Sequence, residues 1–449
     1  MKFLKVFASL LALVLVGAVL WLVVAPPELL RVGDGYAAKI VCSSVFITGR
    51  DPDEVLKVDV QAPGHPLLRL VRISVDRDKK TVAARMFGFA APGYAAYRDR
   101  LGCASVPDGD FARVQTMPSP LPVAQVDSAA LWPDGEATAA SANAQVQALL
   151  ADPDLTGPGM RAVAVVKDGK LIAEAYGEGF DAASPLLGWS MTKTVNAALI
   201  GMRIRAGEMG LNADHLLGTW TDARAAIKLS DLMAMQSGLE FNENYGTVAD
   251  VTRMLYLETD MADYAASQPA LAEPGTVFTY SSGTATLLSR LWMNTFDDPA
   301  EALAYPQQAL FGPLGMASAV LETDAQGTFV GSSYMYATAR DWARFALFLL
   351  QDGVWKGQPL LPDGFVAFMR TPSKASGGVY GSGQVWTQRP GDGNAGLPED
   401  TFWMSGHDGQ TVMLVPSKGL AVIRLGLTPR ALGYQPERLG QRIIDILKT

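Results

Sequence analysis

Short apolar runs set on either side of polar turns give the clearest pattern along this chain. Residues 161–166 and 171–177 flank Lys167-Asp168-Gly169-Lys170, and residues 411–416 and 420–425 flank Ser417-Lys418-Gly419. Both predict antiparallel strand pairs. Residues 70–75 and 81–87 predict a third hairpin around Asp76-Arg77-Asp78-Lys79-Lys80. Residues 39–50, with several β-branched side chains and a close at Gly49-Arg50-Asp51-Pro52, are read with that hairpin as one small β-containing block. Residues 194–204 differ, being apolar on nearly every face apart from Arg203. They predict a buried helix that opens near Ser190. A second helical run covers residues 285–292, just after an exposed loop. Strands before and after the central helix, with helices between, predict an α+β domain whose sheet joins both ends of the domain.

The N-terminus breaks this pattern. After Met1-Lys2-Phe3-Leu4-Lys5 no charge occurs over residues 6–27, a length that spans a bilayer. Lys2 and Lys5 lie on the N-terminal side, so the positive-inside rule leaves them in the cytoplasm and exports the rest of the chain. A cleaved signal peptide is the competing reading. An uncleaved anchor is favoured, because the apolar run is long and Pro26-Pro27 is a poor cleavage site. The expected organisation is an anchor over residues 1–31, a small β module over 32–116, a linker over 117–143 rich in Pro, Ala, Ser and Asp, and a catalytic domain over 144–449. That placement is periplasmic or otherwise extracytoplasmic. Cys42 and Cys103, the two cysteines of the chain, are then expected to form a disulfide closing a loop of about 60 residues.

Charge narrows the partners. Against 45 acidic residues stand 37 basic ones, for a net charge of -8 over 449 residues. No basic run lies outside the extreme N-terminus, which argues against nucleic acid. Three histidines and two widely spaced cysteines do not build a structural zinc site, and no metal or organic cofactor is expected.

The candidate chemistry lies at the start of the buried helix. Ser190 and Lys193 are three residues apart and share a helical face. A serine hydroxyl is a poor nucleophile until a neighbour takes its proton, and a lysine desolvated by burial can do so. The helix start adds partial positive charge and free N–H groups where an oxyanion forms. Tyr280, in Tyr280-Ser281-Ser282, could exchange a proton with the serine or leaving group if cations lower its pKa. His407-Asp408-Gly409 is expected on a strand edge beside the nucleophile, with Gly409 allowing close approach and Gln410 supplying a second oxyanion N–H.

In that order, Ser190-x-x-Lys193, Tyr280-Ser281-Ser282 and His407-Asp408-Gly409 resemble the serine β-lactamase and penicillin-binding-protein superfamily. The resemblance covers roughly the last 300 residues. Framing segments at residues 229–239, 311–316 and 336–345 are similar to its class C β-lactamase, esterase and D-aminopeptidase branch. Residues 238–245, including Tyr245, are similar to the 6-aminohexanoate-dimer hydrolases. The resemblance implies a β-lactamase/transpeptidase-like domain, an antiparallel sheet flanked by helices with an added helical region. It also implies acylation of Ser190, proton transfer shared by Lys193 and Tyr280, and an oxyanion hole from the N–H groups of Ser190 and Gln410. Tyr245 would contact substrate. Two departures bear on substrate. Ser282 stands where β-lactamases of the branch carry Asn, and His407 stands where they carry a lysine, so a fixed positive charge is missing.

The expected activity is therefore hydrolysis of an ester or linear amide through an acyl-enzyme, with a small or short oligomeric substrate. A β-lactamase or D-amino-acid peptidase is the alternative within the superfamily. An α/β-hydrolase triad is disfavoured because Gly188-Trp189-Ser190-Met191-Thr192 lacks the second glycine of a nucleophile elbow. A non-catalytic, membrane-anchored binding protein keeping this fold is the reading from another class.

Overall fold

The computed structural model describes residues 2–119, 126–138, 143–389 and 393–448. At the centre of the catalytic domain lies a five-stranded antiparallel sheet. Its order is Phe402–Gly406, Gln410–Val415, Leu420–Gly426, Met160–Lys167 and Lys170–Tyr176. N-terminal and C-terminal strands thus meet in the middle, where Val165 pairs with Val422, as the apolar runs predict.

Period-two alternation sends successive side chains to opposite faces. Ala162, Ala164, Ile423 and Leu425 join the main core, on the side of the helix Ala339–Leu350. Val163, Val165, Val422 and Leu420 pack instead with Val146, Leu439 and Ile443, which belong to the helices Ala144–Leu150 and Pro436–Leu447. Covering both faces explains why the central strands are almost wholly apolar in their middles, Arg424 being the exception, rather than alternating with polar residues.

Residues 39–46 depart from the sequence reading. They are not strand but the second half of a helix, Glu28–Phe46, so the boundary placed between residues 31 and 32 falls inside it. The β-branched residues are there because the helix is buried on most sides, with Ala37, Ala38, Val41 and Cys42 all inaccessible. Burial overrides the modest helix cost of valine and isoleucine. One side of this docking helix packs on the four-stranded antiparallel sheet Val71–Asp76, Thr81–Met86, Ala90–Arg98 and Gly102–Ser105. Another meets the catalytic-domain helix Asp250–Leu257 so closely that a Cβ on Gly35 would lie 2.9 Å from Tyr256 Cβ. Cys42 on the helix is disulfide-bonded to Cys103 on the last strand.

A buried ion pair joins the two regions. Glu322 of the catalytic domain accepts from Lys39 Nζ at 2.5 Å, Ser43 Oγ at 2.8 Å and the Cys103 N–H at 2.5 Å. Lys39 and Glu322 are almost wholly buried. Removing one partner leaves the other charge uncompensated, which typically costs about 3–5 kcal/mol. Lys39→Met is expected to destabilise the fold by that amount in chemical denaturation, with Lys39→Met/Glu322→Met recovering much of it. A double variant whose loss equals the sum of the two single losses would show that the charges are not coupled.

The expected linker lies partly outside the described residues. Its described part is pinned to the surface: Arg344 donates to Pro133 O at 3.0 Å and Gly135 O at 2.6 Å. At the other end of the chain, the apolar segment Phe3–Val24 is helical and none of it is buried. Its 22 residues rise about 33 Å, a length and composition that fit both a membrane anchor and a signal sequence.

Candidate active site

The nucleophile segment begins with a forced turn. Gly188 lies under the buried ring of Trp342, where a Cβ would come within 2.3 Å, and its N–H donates to Met335 O at 2.9 Å. Trp189 then takes φ +48°, the left-handed region that a bulky residue occupies only when its surroundings enforce it. That turn presents Ser190 in a single 3-10 turn leading into the helix Thr192–Arg205. In this first turn the Ser190 N–H has no intrahelical acceptor.

Lys193 is 1% exposed, and its Nζ meets three oxygens: Ser190 Oγ at 3.1 Å, Ser282 Oγ at 3.0 Å and Ser332 O at 3.0 Å. Their chemistry fixes the direction of each bond. The Ser332 carbonyl can only accept. Ser282 spends its own proton on Glu243 Oε1 at 2.5 Å, so it too accepts from Lys193. A neutral Lys193 has two N–H bonds, both now committed. Its lone pair is left facing Ser190 Oγ. Desolvation lowers the Lys193 pKa to about 8, against an opposing pull from the Glu243 carboxylate, so a neutral fraction exists at ordinary pH.

Glu243 carries weight that sequence reasoning missed. Besides accepting from Ser282 Oγ, it accepts from the Ser282 N–H at 2.8 Å, fixing the start of the helix Ser282–Met293. It arrives from an irregular loop with no periodic signal, and Ser282 in the position of Asn is its only trace in the sequence. Glu243→Gln is expected to move the base limb of the pH–rate profile to lower pH, because the anion that stabilises the Lys193 ammonium is gone. The plateau should fall by about tenfold, the scale of one charged hydrogen bond. An unmoved limb would remove Glu243 from the proton relay.

Tyr280 also reaches the cluster, with Lys193 Nζ 4.7 Å from its ring centroid and its hydroxyl interacting with Ser190. The expectation that cations lower its pKa is not met. Burial and then Glu243 push the phenol well up, outweighing the interaction with Ser190. The ring packs against Trp386 at 5.2 Å and Tyr380 at 5.9 Å. Such a phenol keeps its proton at neutral pH and can act as a donor.

The Tyr245 hydroxyl lies 3.5 Å from Ser282 Oγ. Its ring stacks on His407 at 5.1 Å, and both meet the edge of Trp189. His407 is therefore at the rim of the site. It is not on a strand edge, however. The edge strand is Phe402–Gly406, and His407-Asp408-Gly409 forms the turn after it, because Asp408 and Gly409 take φ +56° and +82°, which a strand cannot hold.

Close approach to the nucleophile segment is made by Gly406, whose Cβ would lie 2.2 Å from Gly188 O. Gly409 instead faces Arg424, which donates to its carbonyl at 3.1 Å. Gln410 sits one strand in from the edge. Its side-chain amide is occupied by His407 O, Asp408 O and the Gly426 backbone, and the residue is paired with Gly406 of the edge strand.

Comparison with known proteins agrees with this arrangement. The Beta-lactamase family profile matches residues 146–430. No curated protein matches the sequence. Among solved structures, a protein from Bacillus anthracis provisionally named a 6-aminohexanoate-dimer hydrolase superposes with a TM-score of 0.55 at 21% identity, covering 76% of this chain and 88% of its own. A penicillin-binding-protein homologue from Caulobacter crescentus gives 0.52 at 15% identity, covering 69% and 98%. A family VIII carboxylesterase gives 0.51 at 16% identity, covering 69% and 97%. At these identities the likeness establishes the shared fold. Because the family profile takes in most of the chain and the fold agrees, this protein belongs to the Beta-lactamase family and has the fold of its serine hydrolases.

Proposed function

We propose that the protein hydrolyses uncharged esters or linear amides through an acyl-enzyme on Ser190, while held to the outer side of a membrane by its N-terminal helix. The observation that supports this most is the set of partners around Lys193 Nζ: Ser332 O and Ser282 Oγ can only accept from it, so in the neutral amine the lone pair is the part that faces Ser190 Oγ. Lys193 takes the Ser190 proton as Oγ bonds to the carbonyl carbon, and the carbonyl oxygen becomes an oxyanion near the Ser190 N–H. Tyr280 gives its proton to the leaving oxygen or nitrogen and recovers one from the Lys193 ammonium. Water then enters by the same route, ejecting the acid and restoring Ser190.

Glu243 and Ser282 act as positioning residues for Lys193. Tyr245 and His407 would contact substrate at the rim, and the edge strand at Gly406 would border it. A β-lactam substrate carries a carboxylate, and no lysine stands in the third motif to anchor it. The preferred substrates are activated esters and linear amides, short ω-amino-acid oligomers among them. Measuring kcat/KM for a nitrophenyl ester, a 6-aminohexanoate dimer and a chromogenic cephalosporin tests this order. The ester should be fastest, since its leaving group needs no protonation. A cephalosporin ahead of both would overturn the substrate reading.

A further inference from the structure

A cleft of about 420 Å³ opens beside the catalytic cluster. One wall is Trp189, Tyr245 and His407, the rings that flank Ser190 and Ser282. The other wall comes from outside the catalytic domain: Leu29 and Val32 of the docking helix, Leu67 and Leu68 of the segment after it, and Met86. A pocket shared between two such regions is a common place for a small-molecule site.

Its chemistry is specific. No lysine or arginine lines it; its one carboxylate is Asp408 and its imidazoles are His65 and His407, so it offers an anionic group no fixed positive charge. The remaining surface is mostly aliphatic and aromatic, with the hydroxyls of Tyr36, Thr247, Thr252 and Tyr256 as its neutral polar groups. Around the outside lie exposed apolar side chains. Phe87, next to Met86, stacks on Phe89 at 6.1 Å and donates its N–H to Leu70 O. Leu29, Leu70, Phe87 and Phe89 are all 38–47% exposed. Leu29 follows the last residue of the apolar helix, Val24, by one short turn of chain.

We infer that this cleft holds an unbranched alkyl chain, and that the substrate is an amphiphilic ester or amide whose uncharged chain lies along the docking helix while its carbonyl reaches Ser190. The inference rests on the acyl-enzyme reading above and adds the substrate class to it. The region before residue 144 then serves as half of the substrate site. A bilayer and bulk water are both sources of such a chain; the same chemistry binds in either case, and placing enzyme and substrate in one vesicle or in separate vesicles distinguishes the sources.

The test needs a readout free of turnover. Full-length protein in detergent is irradiated with a 12-carbon alcohol bearing a diazirine near its methyl end, and labelled peptides are mapped by mass spectrometry. Labelling is expected in residues 28–36, 63–68 and 245–256. Val32→Trp, which fills the cleft, should lower it at least fivefold relative to labelling of residues 2–24. Leu29→Trp, at an exposed position, should give the same result if Val32→Trp does not fold. Labelling confined to residues 2–24, or unchanged in both variants, would overturn the inference.

In parallel, kcat/KM for nitrophenyl esters from acetate to decanoate should climb about fourfold per methylene until the cleft is full. A flat series would overturn it as well. Cleft labelling without any ester turnover would sink the hydrolase reading alone, since the crosslink reports occupancy and not chemistry.

Discussion

Ser190→Ala is expected to abolish both turnover and covalent labelling. An alkyl fluorophosphonate should add one mass increment to the wild-type chain and none to the variant. Residual activity should lie at least about 10,000-fold below wild type, the range seen when a covalent nucleophile is removed and only the binding environment remains. The expectation rests on position rather than on serine content. Ser282 also touches Lys193, but its proton is held by Glu243, so Lys193 has no lone pair left to activate it. Ser190 alone stands opposite the free one. An adduct that survives in Ser190→Ala would transfer the nucleophile to another residue and dissolve the proton relay built around it.

Lys193→Met should cost about 100- to 10,000-fold in kcat/KM, the range of general acid–base catalysis, with phosphonate labelling slowed in parallel. Its signature is in pH dependence. Lys193 works as a base only when neutral, so wild-type activity should rise with pH, about tenfold per unit below the Lys193 pKa of about 8, and level off above it. In Lys193→Met that limb should vanish, leaving a shallow profile. Methionine keeps the side chain's length and apolar stem, so the surrounding core is preserved. His407→Ala offers the contrast: the imidazole stacks on Tyr245 at the rim, and its loss should raise KM more than it lowers kcat. If the histidine variant were the inactive one and Lys193→Met retained the pH limb, a histidine base would have to replace lysine.

Much of this site was legible in the sequence because it lies on regular elements. Ser190 and Lys193 share a face at helical spacing, and the strands that meet in the central sheet are each bounded by polar turns. The illegible parts depended on tertiary context. The docking helix carries a strand-like composition at residues 39–46 because burial, not local propensity, selects those side chains. The turn at His407-Asp408-Gly409 reads as strand until the positive φ values of Asp408 and Gly409 are known. Glu243 comes from a loop, where a carboxylate is by default a solvated one. Only its contact with Ser282 reveals it, and that contact spans 39 residues of chain.

The docking helix also bears on how the molecule folds as a whole. Its apolar residues and those of the catalytic domain form one continuous core, reaching from Val41 and Cys42 to Leu255, Tyr334 and Met335. Cooperative units are defined by shared burial, not by position along the chain. A fragment starting at residue 144 would lay bare the surface around Tyr256 and strand the Glu322 carboxylate that Lys39 neutralises. Sequence that looks like an accessory preface is therefore an integral layer of the enzyme, sharing its core and neutralising a carboxylate of the catalytic domain.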